Sequence, residues 1–197
     1  MNAAVESTQS LRREWWLRAI AVLAHPRATF AALRDDSDEA AEARQEPILA
    51  IIFLAGIAGM LSTSLAGQLL DDAQFDTVNV VLWMFIGGGI YGAVVYFVGG
   101  LFVYALGQGI GARCSFRQAR HLVGLASVPL VVSLAVVWPV RLGIYGDDVF
   151  RSGGSDSGVG DKVFEALVVA SFAWSIGLVV VGLIELRKAA SSSSSIA

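Results

Sequence analysis

Four long runs of uncharged, mostly apolar residues constrain this chain more than any other feature. They cover residues 47–70, 77–112, 122–140 and 166–184, and each contains at least 19 residues. About 20 helical residues cross the ~30 Å hydrocarbon core of a bilayer. A backbone within lipid must satisfy its own hydrogen bonds, which restricts spanning structures to helices and closed barrels. The runs lack the alternation of barrel strands, so they predict transmembrane helices.

The composition agrees with a membrane protein and excludes several other classes. Apolar residues make up 55% of the 197 residues and charged residues only 16%, whereas a soluble domain carries about a quarter charged residues. The net charge of -3 and the scattered basic residues give no reason to expect nucleic-acid binding. The single cysteine, Cys114, excludes an intrachain disulfide and a metal site built from several cysteines.

Residues 1–46 are predicted to form a cytoplasmic arm with amphipathic helices at the membrane interface. Ser10 is expected to cap a first helix ending near Ala24. Pro26 fits the first turn of a second helix, which ends near Leu33. The acidic residues 34–46 are predicted as an exposed helix or linker. Glu6, Glu14 and Arg18 interrupt the beginning of the arm, so no cleavable signal is expected.

Tryptophan and arginine are typical of the membrane interface, where the indole ring lies among headgroups and arginine reaches phosphates. The Trp15–Trp16 pair is accordingly interpreted as a lipid-facing anchor, with a surface for docking a partner as the alternative. The predicted interface anchors are Trp15, Trp16, Arg18, Trp83 and Trp138.

Small residues at intervals of four predict faces on which membrane helices pack closely, because packing drives helix association in lipid. Ala55, Gly59, Thr63 and Gly67 form such a stripe in the first run, and the second run contains two further pairs. Pro129 predicts a kink in the third helix and a freed carbonyl, which Ser127, Ser133 or a neighbouring helix could satisfy. The predicted packing positions are Gly59, Gly67, Gly88, Gly92, Gly107, Gly111 and Pro129.

The second run, residues 77–112, leaves the number of spans open. As one helix it measures about 54 Å at ~1.5 Å per residue, which is long for one crossing and short for two. Three acids and no basic residue precede it in residues 71–76, whereas Arg113, Arg117 and Arg120 follow it. The positive-inside tendency then favours a single tilted crossing. Five spans, with a break at Gly99–Gly100, is the alternative.

These patterns predict an all-α integral membrane bundle of four transmembrane helices. The spans are expected at about 47–70, 78–106, 119–139 and 163–186, within a transmembrane domain of residues 47–188. Residues 189–197 are expected to be a disordered tail. The protein is predicted to lie in the cell membrane with both termini in the cytoplasm.

The helix starts carry their own local signals. Ser115 to Gln118 resembles a capping box at the start of the third membrane helix. Asp161 can cap the fourth.

No residue pattern in the sequence predicts an enzyme, and no catalytic, cofactor-binding or metal-binding residue is proposed from it. Serine-elbow, metalloprotease, P-loop and dinucleotide motifs are missing from any suitable context. His121 is interpreted as an interfacial residue at a helix end rather than a proton carrier. The aspartates of residues 143–161 do not match the spacing of a calcium loop.

Four passages give the chain a family resemblance. They are HPRATFAAL (25–33), YALGQGIGARCSFRQA (104–119), HLVGLASVPLVVS (121–133) and FAWSIGLVVVGL (172–183). With these passages the chain resembles the Yip domain family, multi-pass membrane proteins related to Ypt/Rab-interacting factors, and especially its prokaryotic members. The likeness covers about residues 10–188.

The resemblance implies a role in trafficking or membrane organisation, since eukaryotic relatives contact Rab GTPases and one another. We expect this chain to lack their long cytosolic N-terminal region, and it has four predicted spans where they usually have five. GTPase binding is therefore not carried over, and the family supplies no catalytic residue.

The leading functional hypothesis is a non-enzymatic membrane scaffold or interaction protein. Its expected partners are the lipid bilayer and either itself or another membrane protein. A small transporter or channel subunit, with a polar cavity bordered by Pro129 and residues 87–92, is the alternative. An accessory subunit of a larger complex is the third hypothesis.

Overall fold

The computed structural model describes residues 2–63, 77–112, 114–150 and 158–193, and within these ranges it contains helices and no strands. Two helices and the first long helix form the N-terminal part: α1 (Asn2–Ala21), α2 (Pro26–Ala32) and α3 (Asp38–Leu61). The prediction of an all-α fold is confirmed.

Three more long helices follow. Helix α4 runs without interruption through an α-helical part, a π-helical turn and a second α-helical part: Thr77–Val94, Val95–Gly99 and Gly100–Gly109. Helix α5 has four consecutive parts, of which the third is π-helical: Phe116–Ala126, Val128–Val132, Ser133–Val137 and Trp138–Tyr145. A 3₁₀ turn, Gly146–Phe150, precedes helix α6, Val159–Ser193.

Among the described residues, four helices are long and apolar enough to cross a membrane. They are Asp38–Leu61, Val81–Gly109, Phe116–Tyr145 and Val159–Lys188, with 24, 29, 30 and 30 residues. The long second run therefore forms one helix, and the preference for four spans over five is confirmed. The π-helical turn at Val95–Gly99 marks the place where a break was considered.

Two predicted helix starts are wrong. Helix α1 begins at Asn2, so Ser10 lies inside it rather than at its cap. Helix α3 begins at Asp38, and Pro47 lies within the helix rather than at its start. The hydroxyl of Ser37 accepts a hydrogen bond (3.3 Å) from the N–H of Ala40, which caps α3. Helix α3 can include the proline because only one backbone hydrogen bond is lost there while packing supports the helix.

The starts of α2 and α5 agree with prediction. Pro26 occupies the first turn of α2. At α5 the N–H of Gln118 donates to the hydroxyl of Ser115 (3.0 Å), and the N–H of Ser115 donates to Oε1 of Gln118 (2.8 Å). The predicted capping box is therefore confirmed.

A kink was predicted at Pro129. The structure has a turn at Ser127, two residues earlier, which interrupts α5. The Ser127 hydroxyl donates to the carbonyl of Val123 (2.8 Å), four residues earlier. The carbonyl of Leu125, which cannot accept from Pro129, instead accepts a backbone N–H at the end of this helical part. The Ser133 hydroxyl is buried and has no hydrogen-bond partner among the described residues. The suggested compensation by these two serines is thus wrong.

The chain divides into two compact units. Unit 1 comprises Met1–Ile51, Val94–Val128 and Ser175–Ala197, and unit 2 comprises Ile52–Ala93 and Pro129–Trp174. Each of the four long helices contributes a segment to both units.

In unit 2, glycines allow the backbones of α3 and α4 to approach each other closely. A Cβ atom on Gly88 would lie 2.7 Å from Cα of Ile57, and one on Gly92 would lie 2.5 Å from the carbonyl oxygen of Ile52. Both distances are too short for real side chains, so any larger residue would separate the two backbones. Gly56 lies against the same two glycines from the α3 side.

Candidate functional site: a buried arginine cluster

The loop between α2 and α3 places two carboxylates beside the start of α3. The N–H of Ser37 donates to Oδ1 of Asp35 at 3.1 Å. Hydrogen bonds from the backbone and the hydroxyl of Ser37 lower the pKa of Asp35 below its ordinary value. Asp36 follows with its carboxylate half-buried.

Arg44 lies at the centre of the site, and its side chain is fully buried. Its Nε donates to Nδ1 of His121 (2.7 Å), its Nη1 to the carbonyl of Asp35 (2.6 Å), and its Nη2 to Oδ1 of Asp36 (3.1 Å). A buried charge is stable only when it is paired and hydrogen-bonded. All three guanidinium nitrogens of Arg44 meet this condition.

Asp36 joins this arginine to the start of α5. Besides the bond from Arg44, its carboxylate accepts hydrogen bonds from Nε of Arg117 (2.9 Å) and from the hydroxyl of Ser115 (2.6 Å). Arg117 also donates to the carbonyl of Asp36 and to the carboxylate of Asp38 (2.7 Å). We call Asp36, Arg44, Ser115, Arg117 and His121 the Arg44 cluster.

Further polar contacts fix the same loop to its neighbours. The amide of Gln118 donates to the carbonyl of Leu33 at 3.0 Å. Arg34 donates to the buried carboxylate of Glu185 on α6 at 3.3 Å, and Lys188 donates to the same group at 2.7 Å. Segments far apart in the sequence are thereby held together by directional bonds.

The N-terminal arm packs onto this cluster. The guanidinium carbon of Arg44 lies 5.7 Å from the centre of the Trp15 ring, within the range of a cation–π contact. Trp15 is only 4% exposed, so its prediction as a lipid-facing anchor is wrong. The reason is that the ring packs against Arg44 and Arg18 within the protein.

The other predicted anchors differ in exposure. Trp16 and Trp83 are exposed, and Arg18 pairs with Glu14 on the same helix. Trp138 is 3% exposed, and the guanidinium carbon of Arg141 lies 5.3 Å from the centre of its ring, so the ring packs within the protein. Its position at the membrane interface stays a prediction.

His121 is 3% exposed, so its ring is buried within the protein instead of facing lipid or water. Arginine can only donate hydrogen bonds, so Nδ1 of His121 must be the acceptor and the ring carries its proton on Nε2. The partner, Arg44, was missed because residues 34–46 were predicted as an exposed helix or linker. A signal was present: Ala41, Arg44, Ile48 and Ile51 recur at helical spacing, which places a charge on an apolar stripe.

The predicted packing glycines have different surroundings. Gly88 and Gly92 contact the α3 backbone, and a Cβ atom on Gly59 would meet the ring of Tyr91. A Cβ atom on Gly107 would lie 2.9 Å from Sγ of Cys114, whose pKa is raised by burial.

Gly111 lies in a different setting from these glycines. A Cβ atom on Gly111 would meet nothing within 4 Å, so close packing does not explain a glycine at this position. Gly111 lies in the turn after α4 with a φ of +78°. This backbone conformation disfavours larger residues, which explains why a glycine occurs here. Gly67 lies outside the described residues, and Pro129 adjoins the turn in α5.

Asp161 does not cap α6 but lies in its first turn, where Oδ1 accepts from Nη2 (2.6 Å) and Nε (2.9 Å) of Arg141. Within the described ranges, no group of three or more His, Cys, Asp or Glu residues is placed to hold a metal ion.

The chemistry available to the Arg44 cluster is that of fixed charge pairs. A guanidinium does not release its proton in proteins, and the Asp36 carboxylate already accepts from three side chains. The Ser115 hydroxyl is held between Asp36 and the N–H of Gln118. These bonds position the arm, α3 and α5, and leave neither Asp36 nor Ser115 available as a base or nucleophile.

The four apolar helices make this chain a multi-pass transmembrane protein. A family model described as the Yip1 domain matches residues 20–197. The chain therefore belongs to the Yip1 domain family, which confirms the resemblance seen in the sequence. The match includes every residue of the Arg44 cluster. No curated protein and no solved structure matches the chain.

Proposed function

We propose that this protein is a non-enzymatic scaffold that organises the cell membrane through contacts with itself or another membrane protein. The observation that supports this proposal is an exposed apolar ridge on an arm that packs against the Arg44 cluster. Trp16, Leu17 and Ile20 of α1 are 39%, 62% and 68% exposed. Trp15, Ala19 and Val22 of the same segment are buried within unit 1.

The way the arm is held favours a recognition role. A cation–π contact links Trp15 to Arg44, and Arg44 donates hydrogen bonds to the loop that follows α2. An apolar surface presented by a fixed element loses less conformational entropy when a partner binds. Exposed apolar ridges beside charged residues suit either a protein partner or the headgroup region of a membrane.

Photo-crosslinking in native membranes tests the proposal. A benzoylphenylalanine replacing Leu17 is expected to capture a second copy or another membrane protein. The matched control replaces Val180 of α6, which is 51% exposed and remote from the ridge in the sequence. Crosslinks of equal yield from both positions, or none from Leu17, would contradict the proposal.

The transporter alternative receives no support from the segment on which it depends. It requires a cavity bordered by residues 87–92, but side chains and backbone of α3 lie directly against this segment. Met60 is next to Gly87, Ile57 next to Gly88 and Phe53 next to Gly89.

The proposal also places both termini in the cytoplasm. Arg117 and Arg120 lie at the start of α5, whereas the residues between α3 and α4 carry three acids and no basic residue. Reporter fusions at residues 75, 113 and 197 test this topology. A reporter active in the cytoplasm at 113 and 197 but not at 75 is expected, and the reverse pattern would refute the orientation.

A further inference from the structure

A cavity of about 380 Å³ in unit 1 lies beside the Arg44 cluster and is not explained by it. Helices α3, α4 and α5 all line this cavity, and its volume is within the range of small-ligand sites. His121 and Arg117 line one side, and both are already bonded to the cluster. The remaining charged lining residues are Asp38, Glu42 and Arg120.

Arg120 is a cation without a carboxylate partner among the described residues, and its buried Nε has no hydrogen-bond partner there. Its guanidinium carbon lies 5.4, 5.3 and 5.1 Å from the rings of Tyr96, Phe97 and Phe116. These rings hold the group in place but cannot accept hydrogen bonds as an anion does. Gly100 permits this position, because a Cβ atom there would lie 2.6 Å from Cγ of Arg120.

Glu42 on α3 provides a negative charge that complements the positive charge of Arg120. It lines the same cavity and makes no hydrogen bond or ion pair with any residue in the described part of the chain. Asp38, by contrast, is paired with Arg117. The cavity thus contains one cation and one anion that no described side chain neutralises.

The cavity also has an apolar outlet. Leu49 and Phe97 line it and are 46% and 51% exposed. Glu42 lies in the second turn of α3, and Arg120 lies in the second turn of α5. The ends of membrane helices lie at the depth of the lipid headgroups, where an acyl chain can leave along an exposed apolar surface.

We propose that this cavity binds a zwitterionic phospholipid with a primary ammonium group, as in phosphatidylethanolamine. Arg120 binds the phosphate, since a guanidinium matches phosphate oxygens with paired hydrogen bonds. Glu42 accepts hydrogen bonds from the ammonium group. The acyl chains leave the cavity past Leu49 and Phe97.

Native mass spectrometry of the purified full chain with defined lipids tests this assignment. We expect phosphatidylethanolamine to remain bound in preference to phosphatidylglycerol and phosphatidylcholine, because the latter two offer Glu42 no N–H donor. Arg120→Gln is expected to weaken binding about tenfold, the effect of losing a charged hydrogen bond. Glu42→Gln is expected to abolish the preference for phosphatidylethanolamine over phosphatidylglycerol.

Two matched variants serve as controls, and both should bind lipid as the unchanged protein does. Glu39→Gln and Arg187→Gln alter exposed charges that do not line the cavity. Because Arg120 is packed among aromatic rings, the thermal midpoint of each variant is measured as well. If Arg120→Gln unfolds, the lipid preference of Glu42→Gln alone tests the proposal. Glu42 is exposed, so its substitution is expected to leave the fold intact.

Soluble phosphoethanolamine separates a lipid from a free metabolite. Binding of this headgroup as tightly as the lipid would refute the role of the apolar outlet. Equal retention of the three lipids, or an unchanged preference in Glu42→Gln, would overturn the proposal.

Discussion

Different kinds of interaction stabilise the interior of each of the two compact units of this membrane protein. Unit 1 is built around a buried arginine whose bonds reach the arm loop and α5. In unit 2, α3 and α4 approach so closely that Gly88 and Gly92 leave no room for a methyl group. The first unit depends on directional polar bonds, and the second depends largely on backbone proximity.

The difference follows from what each unit assembles. Unit 1 includes the arm, the α2–α3 loop and helix ends, which carry most of the charged residues of the chain. Charges that are paired in only one arrangement select that arrangement, because a half-satisfied network is costly. Apolar helix segments have no such groups, and in lipid they associate through close packing. Unit 2 also contains an ion pair between Arg141 and the buried residue Asp161.

The sharpest way to test unit 1 is to remove its central charge. Arg44→Ala removes the donor to Nδ1 of His121 and one of the three side-chain donors to Asp36. Breaking a buried charge pair typically costs about 3–5 kcal/mol, so we expect a loss of that size in the free energy of unfolding. Denaturant titration in detergent, followed by tryptophan fluorescence, measures it.

The control for this experiment is Arg13→Ala on α1, since Arg13 is exposed. It should change the unfolding free energy by less than about 0.5 kcal/mol. Similar small effects of both variants would mean that the Arg44 cluster does not stabilise unit 1.

Unit 2 should respond to added volume rather than to lost charge. Gly92→Ala forces a methyl group against the carbonyl oxygen of Ile52, and overpacking of this kind costs typically about 1–3 kcal/mol. Gly143→Ala is the matched control, because a Cβ atom there would meet nothing within 4 Å and alanine favours the helix. Equal results in the same titration would contradict close packing of α3 and α4.

A smaller effect distinguishes the two carboxylates that Arg117 contacts. Asp36 is 25% exposed and accepts from three side chains, whereas Asp38 is 90% exposed. Solvent screens the exposed pair more strongly. Double-mutant cycles with Arg117→Ala should therefore give a larger coupling for Asp36→Ala than for Asp38→Ala. A coupling of the same size for both carboxylates would show that burial does not set the strength of this network.

The smallest effect concerns Cys114, which lies just before the α5 capping box. Burial raises the pKa of its thiol above the ordinary value of 9.0, so less thiolate is present at neutral pH. We expect maleimide to label Cys114 slowly in the folded protein, with a rate that keeps rising above pH 9. Leu17→Cys in a Cys114→Ala chain, exposed on α1, is the fast-reacting control.

The same shift predicts a pH dependence of stability. Because the folded protein holds the thiol proton more tightly than the unfolded chain does, the contribution of Cys114 is present below about pH 9. It is lost as the pH rises through the folded pKa. Titration of the unfolding midpoint above pH 9, with Cys114→Ala as control, checks the sign. A midpoint that rises with pH only when the thiol is present would contradict it.

The sequence by itself determined the features that depend on local chemistry. The four apolar runs specify helices because lipid cannot satisfy a bare backbone. The charges on either side of residues 77–112 correctly favoured one helix over two. Ser115 and Gln118, three residues apart, are sufficient to define their capping box.

Only the tertiary structure decided which polar and aromatic side chains are buried. Arg44 and His121 are 77 residues apart, and Ser115 and Asp36 are 79 residues apart. Neither pair can be recognised from its local sequence. Because its partner Arg44 was not recognised, His121 was interpreted as a residue at the membrane interface. Trp15 carries the sequence signature of a lipid anchor, but it becomes a buried residue because Arg44 lies beside it. The positions of the helices follow from local hydrogen bonding and apolar periodicity, whereas the polar network depends on pairings that form only when distant segments meet.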